Sequence, residues 1–149
     1  MSRLIVLPPQ NLYYMKEQLL TTLENSRNYT LSVANTMPGN SYNFKPTDAV
    51  WNFRALLHHI TYGIHWWKEN YIKGTETAWE PSTVEGEKNE IIANLEEAYD
   101  SLKHTICNSK LNDKAVQGFN ATIDHITHHR GQAVLYLRCN GITPPEYVY

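Results

Sequence analysis

Phe53-Arg54-Ala55-Leu56-Leu57-His58-His59-Ile60-Thr61-Tyr62-Gly63-Ile64-His65-Trp66-Trp67-Lys68-Glu69-Asn70-Tyr71 is the stretch whose reading decides the fold. Phe53, Leu57, Ile60, Ile64, Trp67 and Tyr71 recur at alternating steps of four and three residues. That rhythm places them on one face of an α-helix, and a stripe of this kind is buried against other helices in a bundle. Thr47 or Asp48 is expected to cap its start, and Lys73-Gly74 to close it.

The rest of the chain repeats the pattern on either side. Upstream, Leu12, Met15, Leu19 and Leu23 keep helical spacing after the punctuation of Pro8-Pro9, with Asn11 as the expected cap. This first helix runs to about Met37, where Pro38-Gly39-Asn40 stops it. Residues 41–46 read as a loop whose Tyr42 and Phe44 fold back on the core. Downstream, Thr75 to Glu87 is polar and turn-rich, the longest loop, with Trp79 either tucked into a groove or used at an interface. Ile92, Leu95, Tyr99, Leu102 and Ile106 mark a third helix from about Lys88 to Ser109, with Glu96, Glu97 and Asp100 turned to solvent. After a break at residues 108–113, Phe119, Ile123, Ile126, Ala133 and Leu137 mark the last helix. Gly141 suits a left-handed stop, and Pro144-Pro145 forbids continuation. Four amphipathic helices with no alternating strand predict an all-α four-helix bundle, a single domain over residues 1–149.

Composition narrows the function classes. A length of 149 residues suits one domain with one core, and 42% hydrophobic against 19% charged residues is globular rather than disordered. A formal charge of −2 offers no basic footprint for nucleic acid and no polybasic patch for a membrane. The apolar run near Leu4–Leu7 is too short for a secretory signal, and no stretch approaches the roughly 20 apolar residues of a span. Cys107 and Cys139 are too few and too isolated for a disulfide framework. A reducing cytoplasm is the expected location.

Six of the seven histidines cluster in two segments, His58, His59 and His65 in the second helix and His125, His128 and His129 in the last. His125 and His129, four residues apart, project from one face of a helix, where two imidazoles can grip one divalent ion. Both lie near the Ile126–Ala133 seam and should be partly buried, where an imidazole needs a partner. His128 points to nearly the opposite side. A third ligand must come from the second helix, where His58 and His59 flank the seam on opposite sides and spacing does not choose between them. His65 and His104 read as surface or satisfied core residues.

Taken together, His125-x-x-x-His129-Arg130-Gly131-Gln132, then Leu137-Arg138, Gly141 and Pro144-Pro145, resembles the C-terminal signature of the DinB/YfiT-like superfamily. Members are four-helix bundles of about this length, so the resemblance covers nearly the whole chain. They also carry a tryptophan at the head of the second helix, then a histidine eight residues on and an aliphatic residue, a spacing that Trp51 and His59-Ile60 match. The resemblance therefore implies a metal triad of His59, His125 and His129, with His58 and His128 outside it. A second histidine beside each matched position is a departure from the family pattern.

Three neutral imidazoles suit Zn²⁺, Ni²⁺ or Fe²⁺ and leave a coordination position open, whereas structural zinc sites are usually closed by four protein ligands. The resemblance implies metal-dependent thiol S-transfer, with a low-molecular-weight thiol as cofactor, or hydrolysis of a small-molecule substrate, in stress response or detoxification. It also implies a homodimer. Arg130 and Gln132 are expected to pack or to hydrogen-bond near the ligands; no general base is identifiable. Two other readings are a metal-binding bundle without turnover, acting as a structural or interaction protein, and histidines that only pack. A large apolar surface around Tyr71 and Trp79 would favour the interaction protein.

Overall fold

A computed structural model describes residues 9–148, without the side chains of residues 9, 10 and 12. The readings of Pro8, of the apolar run near Leu4–Leu7 and of Leu12 in the first seam lie outside the described residues. Four helices, α1 (Pro9–Thr36), α2 (Phe53–Trp67), α3 (Lys88–Asn108) and α4 (Asp113–Cys139), carry the fold, with no strand among the described residues. Their main contacts run α1–α3, α3–α2, α2–α4 and α4–α1, so α1 and α2 sit at opposite corners of an all-α bundle.

Most of the α2 seam is buried as its rhythm predicts: Phe53, Leu57, Ile60 and Ile64 are removed from water, while Trp67 and Tyr71 at its far end are half-buried. Leu95, Tyr99, Leu102 and Ile106 of α3 and Phe119, Ile126, Ala133 and Leu137 of α4 close the same core. Burial of each large aliphatic side chain contributes roughly 1.5–3 kcal/mol. Tyr99 is buried with its hydroxyl satisfied, 3.0 Å from Ser26 Oγ and donating to Thr30 Oγ1 at 3.0 Å. Tyr42 plugs the core end and donates to the Ala34 carbonyl at 2.8 Å; Phe44 packs beside it, half-buried. Glu97 and Asp100 face solvent, while Glu96 is half-buried.

Both expected caps at the N-terminal ends are corrected. α1 includes Pro9 and every residue after it to Thr36, so Asn11 lies inside the helix and does not cap it. α2 begins at Phe53, capped by Asn52, whose Oδ1 accepts from Ala55 N at 2.8 Å, and not by Thr47 or Asp48. Its first N–H groups already have partners in the preceding loop: Phe53 N donates to Phe44 O and Arg54 N to Tyr42 O, both at 2.9 Å. The folded-back aromatics thus fix where α2 starts.

At its other end α2 continues as a π-helical stretch, Lys68–Lys73, before Gly74 stops it in the left-handed region at φ 74°. Gly118 of α4 meets this stretch so closely that a Cβ there would overlap Tyr71. α4 ends with Gly141 at φ 73°, as its sequence predicts. No helix among the described residues is long and apolar enough to cross a membrane.

Candidate metal centre

One residue of α2 and two of α4 converge where those helices pack. His59, His125 and His129 are half-buried, and one ring nitrogen of each lies within 4.8 Å of the others. His59 Nε2 and His125 Nε2 face each other at 2.9 Å, a spacing that in a metal-free site requires one of them to carry a proton. His125 Nδ1 is buried and has no hydrogen-bond partner. Two imidazole nitrogens facing each other at this distance, with a nitrogen of a third ring close by, form the donor arrangement that a divalent cation satisfies.

Neighbours fix these rings. Gln132, one turn along α4, has its Oε1 2.8 Å from His129 Nδ1; as acceptor it places the proton there and leaves Nε2 free for an ion. Gly63 of α2 makes room for His125, because a Cβ at that position would overlap the imidazole. Aromatic rings flank the triad. Trp51 stands 4.7 Å from His59, Trp67 4.8 Å from His125 and Trp79 5.5 Å from His59.

The electrostatics favour neutral ligands. Burial, then the neighbouring His129 and His58, lower His59 from 6.5 to about 4. Burial, with His129, His59 and His128 adding to it, lowers His125 to about 3. His129 is also lowered by burial, partly opposed by its bond to Gln132.

The other histidines stay outside the cluster. His58 turns to the 75–87 loop, its Nε2 3.1 Å from the Ser82 carbonyl, and His128 is exposed, stacked edge-on against His129. His65 pairs with Glu97 at 3.2 Å, and His104 is exposed. Arg130 is buried on the α1 side, 5.0 Å from the Tyr29 ring, and donates to Thr30 Oγ1 at 3.3 Å. It packs the bundle rather than the triad.

The sequence pattern of the DinB superfamily matches residues 22–136, a span that holds all three clustered histidines. The chain belongs to the DinB superfamily. Among curated proteins no relative matches it. Within this DinB chain, helical spacing does not single out Gly63 and leaves Trp79 open between a groove and an interface. A glycine inside a strong helical seam was the available signal for the first, since it costs a helix roughly 1 kcal/mol relative to alanine. Nothing in the spacing announces Trp79, which reaches the triad from a loop.

Proposed function

We propose that this DinB-superfamily chain is a metal-dependent enzyme of the thiol S-transferase type, with His59, His125 and His129 as ligands of an open divalent-metal site. The observation that carries the reading is the convergence of three imidazole nitrogens within 4.8 Å between α2 and α4. When bound, a divalent ion would bring a thiol towards ionisation near neutral pH and polarise an oxygen substrate. The chain's own part is to present neutral nitrogens, with Gln132 holding the proton of His129 on Nδ1 and Gly63 keeping space for His125. Trp51, Trp67 and Trp79 pack against the rings from three sides.

Among the described residues the group of close donor side chains at the site holds three histidines and no carboxylate, which favours thiol chemistry over hydrolysis, because hydrolysis usually draws on a general base beside the attacked bond. It also supports a second reading, a bundle that binds an ion without turnover. Family membership supports a homodimer as the assembled form, which sedimentation would read.

Metal content decides first. Protein made without a histidine tag or nickel column should carry about one transition-metal ion per chain in the wild type and in His65→Ala, and almost none in His59→Ala. Equal loss in both variants, or no uptake by the wild type, would overturn the assignment.

A further inference from the structure

Arg130 follows His129 in sequence but serves another part of the molecule, and what it implies holds with or without a metal. Its side chain is turned to the α1 side of α4, whereas the triad lies where α4 meets α2. Only 6% of it is exposed. A guanidinium carries a fixed positive charge and five N–H donors, and burying it is costly unless the charge is paired. Among the described residues Arg130 forms no ion pair. Its hydrogen bonds go to neutral oxygens and all run through one nitrogen. Nη1 lies 3.3 Å from Thr30 Oγ1 and 3.5 Å from both the carbonyl and the hydroxyl of Ser26. A charged donor usually closes to about 2.7–2.9 Å on an acceptor of opposite charge, so these bonds are long. The rest of the fork, Nε and Nη2, makes none to any described residue.

Tyr29 and Tyr147 flank the guanidinium at 5.0 and 5.9 Å, with their own ring centres 4.9 Å apart, so both cover the same side of it. They attract the charge through their ring faces but offer no lone pair in the plane of the fork. Arg130 also lines a cavity of about 160 Å³ between α1 and α4. Thr22, Asn25 and Thr127 line it too, and their side chains make no hydrogen bond to another described residue. Thr22 and Thr127 are exposed while Ser26 and Arg130 are buried, so the cavity runs from solvent down to the guanidinium. No acidic residue lines it.

We propose that this cavity is a second binding site, for a small oxyanion that presents two oxygens to one fork, either a carboxylate or inorganic phosphate. Both match a guanidinium in bidentate form. The hydroxyls of Thr22 and Thr127 and the amide of Asn25 serve as neutral donors around it. Pockets that enclose drug-sized ligands run to roughly 300–1,000 Å³, so the group held here is a small one.

The test is a heteronuclear NMR titration of the ¹⁵N-labelled full chain at about pH 7.5, where neutral imidazoles leave the triad without charge. Sodium acetate and sodium phosphate are each compared with sodium chloride at matched ionic strength. An oxyanion should produce saturable shifts in the Arg130 Nε–H signal and in the amides of Asn25, Ser26 and Thr127. The tighter of the two identifies the ligand as carboxylate or phosphate. Thr127→Glu sets a carboxylate at the exposed mouth and should weaken that binding at least about tenfold, while the neutral Thr127→Gln should stay within about threefold of the wild type. The position lies on the surface of α4, and a melting curve for each variant checks the fold. No saturable shift with either oxyanion, equal shifts with chloride, or equal losses in the two variants would overturn the proposal. Shifts confined to His59, His125 and their neighbours would overturn it as well, because they would put the anion at the triad.

Discussion

His59 and His125 are imidazoles that the folded chain resists protonating, because burial and the neighbouring rings both oppose the charge. In the unfolded chain each takes a proton near 6.5; in the folded chain His59 waits until about 4 and His125 until about 3. Folding stability is therefore whole above 6.5 and drains as pH falls from there towards the folded values, since the unfolded state binds the extra protons. The urea midpoint of the metal-free protein should drop between about pH 7.5 and about pH 5, and the drop should be shallower in a His59→Gln/His125→Gln double variant. Parallel declines would show that these two rings do not carry the effect. At this scale the pair His125 and His129 was legible from spacing alone, because one helix carries both. The choice of His59 over His58 was not, since both flank the seam and the carbonyl that holds His58 lies in a loop far along the chain.

Helix α2 illustrates how much an element reveals of itself. Its buried face follows from the four-and-three rhythm, yet its first residue does not, because the carbonyls of Tyr42 and Phe44 that meet its opening N–H groups belong to a loop. The π-helical continuation likewise meets α4 closely, with Gly118 admitting Tyr71. Gly63 is the element's functional concession. Gly63→Ala should gain up to roughly 1 kcal/mol of helix propensity and lose a comparable amount to crowding, leaving the melting temperature nearly unchanged. Metal affinity should nevertheless fall by more than about tenfold, because the added methyl displaces the His125 ring. Competition titration against a chelating dye reads the affinity. An unchanged value would mean that His125 has another place to stand and that Gly63 is not reserved for it.

For the whole molecule, the question is whether the ion holds the bundle together or is held by it. The core built from α1, α2, α3 and α4 is continuous and apolar, with its polar exceptions largely paired around Ser26, Thr30 and Tyr99. A domain of this size buries enough surface to fold without a metal, unlike small zinc modules that unfold when stripped. An ion bound to His59 of α2 and to His125 and His129 of α4 would still tie two adjacent helices and favour the folded state by mass action. At free metal a hundred times the dissociation constant the gain is about 2.7 kcal/mol. In a chain of this length that corresponds to a melting shift of about 5–10 °C. Adding a chelator to the metal-loaded wild type should lower the melting temperature by that amount and leave a cooperative transition. The same chelator should not move a His59→Ala/His129→Ala variant. Loss of the transition altogether would make the ion a structural staple and contradict an open site, whereas no shift in the loaded wild type would mean that the three imidazoles grip nothing. A cooperative bundle that merely softens on chelation is the outcome expected of a scaffold that carries its metal for chemistry, because such a scaffold must keep the ligands in place before the ion arrives.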